Sequence, residues 1–196
     1  MQTDTLVLFI WSSFLVTIAP GPDLLMVIQL AVQQGWKVAF RLALGLCSGL
    51  VLHTLLVAWG MGSLLDIYPQ LFWGIKIFGV GYFLYLAWLT WKTRKQTEQS
   101  KQKTGGWITG FVMNISNPKV FLFFLGFLPQ FLFHPSWPTT FQLSVLGMLF
   151  LGQALLVFTT VIAISVTIRP TKWVFLSHPY AQMGIWLFFA SWIAVA

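Results

Sequence analysis

Long apolar runs separated by short polar links extend along the whole chain. They lie at about 5–34, 38–65, 69–91, 107–131, 139–167 and 173–195. Most reach the roughly 20 residues that a helix needs to cross the hydrocarbon core of a bilayer. His178-Pro179 interrupts the sixth run, whose apolar part is short. The pattern predicts an all-α integral membrane protein with six transmembrane helices.

The composition excludes a water-soluble domain. Of the 196 residues, 58% are hydrophobic and 8% are charged, against roughly 25% charged in soluble domains. The single Cys47 excludes a disulfide framework. The N-terminus has no positive segment or cleavage site, so we expect the first helix to be retained. In so apolar a chain, the net charge of +7 indicates basic loops that meet anionic lipid, and no nucleic-acid partner is expected.

The basic residues predict the orientation of the helices. They cluster in three alternate links, at Lys37 and Arg41, within 92–103, and at Arg169 and Lys172. Basic loops stay in the cytoplasm, so six helices place both termini on the periplasmic or external side. We expect one transmembrane domain, with a three-helix half at 1–92, a basic cytoplasmic loop at 93–106 and a second half at 107–196.

The first apolar segment is interrupted near its middle. Pro20 and Pro22 have no N–H to donate within a helix, and Gly21 between them removes further stiffness. Free backbone groups inside a membrane are tolerated only where protein or a water-filled cavity satisfies them. This break is therefore predicted to face the interior of the bundle, together with Asp23, which follows it.

The fourth segment is interrupted in the corresponding place. Asn114, Asn117, Pro118 and Lys119 lie within six residues of an otherwise apolar stretch. Three helices in each half give the halves opposite directions across the membrane. Proline interruptions at matching positions of two inverted halves are typical of a transporter binding site. We therefore predict that helices 1 and 4 are broken near the midplane and bind substrate there.

The charges at the two breaks suggest roles. A half-helix beginning near Pro22 presents free N–H groups that can hold a carboxylate. Asp23 could bind an ammonium group, take up a proton, or alternate between the two, at an insertion cost of about 2.5–3.5 kcal/mol. Lys119 opposes the helix dipole and needs a carboxylate partner. The structural alternative is that Asp23 caps the half-helix and pairs with Lys119.

His53 and Gln130 are further candidates. His53 shares a helical stripe with Gly45 and Gly49, which is typical of a packing face. It could couple transport to protons because imidazole titrates near neutral pH, although a hydrogen-bonded interface histidine is the more ordinary interpretation. Gln130 either gates the pathway or caps a helix. The small-residue pairs Gly45/Gly49 and 106/110 indicate close helix packing.

Several motifs resemble those of LysE/RhtB-type amino-acid exporters, a family of homoserine, threonine, lysine and leucine efflux proteins. Residues 19–23 (APGPD) followed by Gly35 are similar to that family's first helix, and residues 114–119 (NISNPK) with 127–131 (FLPQF) are similar to its second signature. Residues 84–89 (LYLAWL) also look like the family. The similarity covers nearly the whole chain and is loose in the C-terminal segment.

The resemblance implies a bacterial inner-membrane exporter of amino acids or related metabolites, driven by the proton gradient as an antiporter. It implies that the PGP segment, Asp23 and Asn117-Pro118-Lys119 line the substrate path. Some members carry Asn where this chain has Asp23, so an ionisable group there is not required throughout the family.

Three other functions compete with export. A metal-ion exporter on a related fold needs clustered ligands, and Asp23, His53 and Cys47 do not form a convincing set. A membrane-embedded enzyme is disfavoured because HExxH, GxSxG and paired carboxylates are missing from the sequence. A structural membrane subunit is the third alternative. We expect no metal or cofactor; the expected partners are a zwitterionic solute, protons and lipid, and self-association is left open.

Overall fold

The structure, a computed structural model, describes residues 2–19, 21–68, 70–93 and 106–168, and residues 180, 183–184, 187–188, 190–191 and 194 beyond them. The described part is all-helical, as the hydropathy pattern predicts. Most of the sixth apolar segment lies outside the described residues, so the six-helix count stays a prediction. The α-helices are α1 (Gln2–Ile18), α2 (Pro22–Gln34), α3 (Trp36–Leu55), α4 (Gly62–Ile67), α5 (Leu71–Thr93), α6 (Trp107–Ile115), α7 (Pro118–Phe127) and α8 (Thr139–Ile168). A π segment (Leu56–Met61) follows α3, and a 3₁₀ turn (Leu128–Phe131) follows α7.

Three stretches are long and apolar enough to cross a membrane by themselves. They are Trp36–Leu65, Leu71–Lys92 and Thr139–Ile168. At about 1.5 Å per residue, the 30 residues of α8 extend about 45 Å, well beyond the roughly 30 Å hydrocarbon core. The described residues thus contain three candidate spans, and a fourth if α1 and α2 together form one.

The first predicted break is present. Helices α1 and α2 meet at a bend of 61°. Ala19 still donates its N–H to the carbonyl of Leu15 at 2.9 Å, and α2 begins at Pro22, with Gly21 in an extended conformation before it. Proline suits the first position of a helix, where its missing N–H would have no partner in the helix anyway.

The second predicted break is present as well. Helix α6 ends at Ile115 and α7 begins at Pro118, which again places a proline at the first helical position. The N–H of Asn117 turns back to the carbonyl of Asn114 at 3.1 Å. Both interruptions therefore fall where the prolines predict them, and each restarts the helix at a proline.

Glycines let α3 and α6 pack with their backbones close together. A Cβ added at Gly45 would overlap the carbonyl oxygen of Trp107, and one added at Gly110 would overlap that of Leu42. The predicted glycine pair on α3 therefore lies in the interface, since Gly49 faces the Asn114 side chain. Gly106 has open space around it, so only the second glycine of the α6 pair contributes to the packing.

Helix α8 holds the described bundle together, because it packs against α1, α2 and α3. Gln142 near its start fixes the preceding loop. Its Oε1 accepts hydrogen bonds from the N–H groups of Phe133 and His134 at 2.8 and 2.9 Å. Its Nε2 donates to the carbonyls of His134 and Trp137 at 2.7 and 2.9 Å. This buried amide is thereby fully satisfied, and the loop before α8 has a defined conformation.

Candidate functional site

A cavity of about 50 Å³ lies between the two broken helices. Each break supplies part of its wall, and α3 and α8 close it. Its polar side is formed by Thr17, Asp23, Asn114 and Asn117. The rest of its wall is apolar or backbone: Val16, Ala19, Gly21, Leu24, Leu50, Val120, Phe123, Phe150, Ala154 and Phe158.

A hydrogen bond joins the two breaks directly. The Nδ2 of Asn117, from the second break, donates to Oδ2 of Asp23, from the first, at 3.1 Å. The two residues are 94 positions apart in the chain. The N-cap residue of α2 is Gly21, which has no side chain to bond the first N–H groups of the helix. The structural alternative, in which Asp23 caps the half-helix and pairs with Lys119, stays a prediction.

Asn114 carries two distinct interactions at the end of α6. Its side chain is 3% exposed and lines the cavity, and within the described part of the chain its Oδ1 has no hydrogen-bond donor. Its backbone carbonyl has no helical donor, because Pro118, four residues later, has no N–H. That carbonyl accepts from the N–H of Asn117 and contacts Nε2 of His53 at 3.2 Å.

His53 is therefore a hydrogen-bonded interface histidine, and its side chain is 2% exposed. A carbonyl oxygen can only accept, so Nε2 must carry the proton in this contact. The ring packs against Phe121 and Phe124, with centroids 5.7 and 6.0 Å away. Its Nδ1 is buried with no partner among the described residues. The ordinary interpretation from sequence is confirmed, and a role in proton coupling stays a prediction.

Part of the predicted site lies outside the described residues. This applies to the whole of Pro20 and to the side chains of Pro118 and Lys119. The predicted pairing of Lys119 with Asp23 or with substrate therefore stays a prediction. Gln130 donates from Nε2 to the carbonyl of Gly126 at 3.4 Å, which agrees with the capping role, and its role as a gate stays a prediction.

Sequence reasoning missed a polar contact beside the cavity. Ser13 of α1 is hydrogen-bonded to Gln153 of α8, and Thr17, which lines the cavity, donates to the carbonyl of Ser13 at 2.8 Å. Polar side chains between membrane helices hold them together by interhelical hydrogen bonds. Gln153, near the middle of a 30-residue apolar helix, was the available signal.

Lys76 was also missed. It lies within an otherwise apolar segment, is 8% exposed, and places Nζ 5.0 Å from the ring centroid of Trp73. A lone cation in a predicted span was reason enough to single it out. It is not among the residues that line the cavity.

No three His, Cys, Asp or Glu side chains come close enough to hold a metal ion in the part of the chain that the structure describes. The polar groups at the cavity are one carboxylate, two carboxamides and a hydroxyl. These groups suit an ammonium or hydroxyl ligand better than a transition metal, which prefers imidazole or thiolate.

The sequence also matches a known family of membrane transporters, as a cavity between two interrupted apolar helices suggests. Residues 14–174 match the family described as LysE type translocator. The chain belongs to this family. The LysE translocator is accordingly a multi-pass membrane transporter and not an enzyme.

Several curated proteins are similar to this LysE translocator. "Uncharacterized membrane protein PA4757" of Pseudomonas aeruginosa is 31% identical over 126 residues, which cover 59% of this chain and 58% of that protein. "Homoserine/homoserine lactone efflux protein" of Salmonella typhimurium is 25% identical over 71% of this chain and 69% of that protein. "Cysteine/O-acetylserine efflux protein" of Salmonella choleraesuis is 26% identical over 66% and 67%. No solved structure matches the chain.

Proposed function

We propose that this LysE translocator exports an amino acid or a related small zwitterion across the bacterial inner membrane. The observation that carries the proposal is the Asn117–Asp23 hydrogen bond, which brings both broken helices to one small cavity with a polar side. Interrupted helices that meet in this way are the usual construction of a midplane binding site in secondary transporters. The relatives described as efflux proteins for homoserine and for cysteine support the direction and the substrate class.

The groups at the cavity fit the two charged ends of an amino acid. Its ammonium group binds the Asp23 carboxylate and the carboxamide oxygen of Asn114, because both are acceptors. Its carboxylate binds the N–H groups at the start of α2, where the helix dipole is positive. Lys119, which directly follows Pro118 at the start of α7, supplies a positive charge for the same carboxylate.

Proton coupling follows from the charge of Asp23. A substrate ammonium and a proton compete for the same carboxylate, so binding one favours release of the other. A proton that enters from outside releases the substrate there and resets the site, which gives antiport. His53 contributes through its Nε2–H, which holds the carbonyl of Asn114 beside the cavity, and its Nδ1 offers a second protonation site.

The transport cycle is alternating access. The two halves, at 1–92 and 107–196, rock around the paired breaks and open the cavity to one side at a time. Six helices with the three basic links in the cytoplasm, and both termini outside, place the two halves in inverted orientation. In this arrangement the Asn117–Asp23 hydrogen bond crosses the line between the halves, so it changes during the cycle.

Efflux from bacterial cells preloaded with a mixture of labelled amino acids tests the proposal. Cells with this protein should lose one or a few amino acids faster than cells without it. The gain should disappear in Asp23→Ala and on addition of a proton uncoupler. Leu56→Ala, at a residue with an exposed side chain, is the control and should keep the gain at equal membrane expression.

Two outcomes contradict the proposal in different ways. No accelerated loss of any amino acid contradicts amino-acid export. Accelerated loss that is unchanged in a well-folded Asp23→Ala, Lys119→Ala double variant contradicts the role of the paired breaks but leaves export in place.

A further inference from the structure

Helix α8 supplies more of the apolar side chains around the cavity than any other helix. Phe150, Ala154 and Phe158 lie at intervals of four on α8 and form one face of it. Ala154 is 1% exposed, and its methyl group lies between the two aromatic positions along this face. Phe123 of α7 extends the wall, since its ring centroid is 5.4 Å from that of Phe150.

The cavity therefore has two unlike sides. The carboxylate and the two carboxamides belong to the broken helices. Phe150, Ala154 and Phe158 of α8, together with Phe123 of α7, are here called the α8 wall, and this wall offers no hydrogen-bonding side chain. A zwitterion held by its charged ends at the breaks can direct its side chain toward α8, where three of the apolar lining residues lie. The α8 wall then contacts the substrate's side chain and decides which side chains fit.

We propose that the α8 wall restricts this LysE translocator to amino acids with short, uncharged side chains, and that Ala154 sets the limit on length. This inference rests on the proposed function, because it concerns the substrate of the same cavity. It assigns selectivity to residues on α8 that take no part in holding the charged ends of the substrate.

The size of the cavity limits the length of the side chain. A single water needs a cavity of at least about 10–15 Å³, and pockets for drug-sized ligands measure about 300–1,000 Å³. At about 50 Å³, this cavity suits a small solute. The ammonium and carboxylate groups that every amino acid shares take most of this space. A short unbranched side chain of up to three non-hydrogen atoms, such as that of homoserine, fits, whereas a branched or aromatic one would reach the Phe150 or Phe158 ring.

The charge distribution excludes cationic side chains. Asp23 is the one acidic group among the described residues that line the cavity, and the substrate's own ammonium group occupies it. A lysine or arginine side chain would place a second cation against phenylalanine and alanine with no carboxylate to pair with. Burying an unpaired charge is far more costly than burying a methyl group, so the wall discriminates more strongly against charge than against size.

Transport by purified protein in liposomes tests the inference. The panel consists of alanine, serine, homoserine, leucine, phenylalanine and lysine, each offered as labelled solute to vesicles loaded with the same unlabelled solute. Wild-type protein should exchange the first three at least tenfold faster than the last three, at equal concentrations below saturation.

Variants on α8 separate the wall from a general effect on the helix. Ala154→Leu lengthens a side chain that points into the cavity and should reduce exchange of homoserine at least tenfold, with a smaller effect on alanine. Gly152→Leu adds the same side chain to the same helix at a position with no neighbour within 4 Å, and should leave the ranking unchanged. Phe158→Ala should raise exchange of leucine relative to serine.

The outcomes distinguish the inference from the proposed function. Exchange of none of the six solutes overturns the proposed function and the inference together. Exchange of leucine or lysine by wild-type protein as fast as serine overturns the inference alone. Equal effects of Ala154→Leu and Gly152→Leu on every solute also overturn it, because the wall would then have no selective role.

Discussion

Replacing Gly49 by alanine tests the packing that positions Asn114. A Cβ at Gly49 would lie 2.5 Å from Oδ1, 2.7 Å from Cβ and 2.8 Å from Cγ of Asn114. All three distances are shorter than real Cβ contacts. Rotating the Asn114 side chain can relieve the contacts to Oδ1 and Cγ, but the contact to its Cβ is relieved only by moving α3 away from α6.

The expected cost follows from this geometry. Overpacking of a tight interface destabilises proteins by typically about 1–3 kcal/mol. The gain in helix propensity on replacing glycine by alanine, up to about 1 kcal/mol, opposes it. Gly60→Ala is the matched control, because it shares that gain in the same helical stretch and has nothing within 4 Å of the added carbon. We expect the free energies of unfolding of the two variants to differ by about 1–3 kcal/mol.

Unfolding of the purified variants in detergent, followed by efflux in cells, measures both consequences. Gly49→Ala should unfold at a lower temperature than Gly60→Ala and should export more slowly at equal membrane expression, because Asn114 moves at the cavity wall. Equal stability and equal export of the two variants would refute the proposed packing of Gly49 on Asn114.

Three further predictions concern single hydrogen-bonding side chains. His53→Ala removes a donor to the buried carbonyl of Asn114 and should destabilise the protein by about 1–3 kcal/mol, with His53→Gln recovering part of the loss; equal unfolding of both variants and wild type would argue against this contact. Gln142→Leu removes four hydrogen bonds to the loop before α8 and should cost about 2–6 kcal/mol at 0.5–1.5 kcal/mol each, measured by thermal unfolding; a loss below 1 kcal/mol would contradict it. Ser13→Ala should cost only about 0.6 kcal/mol, and at most about 1.7 kcal/mol, as for other interhelical hydrogen bonds in membranes, and a double-mutant cycle with Gln153→Ala should show that the loss is shared; additive losses would contradict their contact.

The sequence predicted the positions of both helix breaks because their cause is local. A proline lacks an N–H wherever it stands, so α2 and α7 begin at Pro22 and Pro118 as expected. The π segment at Leu56–Met61 was not predicted. It has no proline or comparable local signal, and it depends on how the helix fits its neighbours.

The contacts at the site could be predicted only in part. Matched breaks in the two predicted halves indicated that Asp23 and the second break lie near each other, but the choice of Asn117 as the hydrogen-bond donor depends on the rotation of α7. The contact from His53 to the freed carbonyl of Asn114 required the distance between α3 and α6, which the glycines set. The α8 wall was missed because phenylalanine and alanine in an apolar helix do not differ in pattern from lipid-facing or core residues.

The most direct test of the account is protection of the cavity by substrate. Thr17→Cys places a thiol in the cavity wall, on a background in which Cys47 is replaced by alanine, and its reaction with a small water-soluble thiol reagent is timed. An amino acid that the protein exports should slow the labelling of position 17 and should not slow that of Tyr68→Cys, at an exposed residue near the end of α4. The protection should be lost when Asp23→Ala is added. Labelling at position 17 that no exported amino acid slows would contradict the claim that the paired breaks form the substrate site.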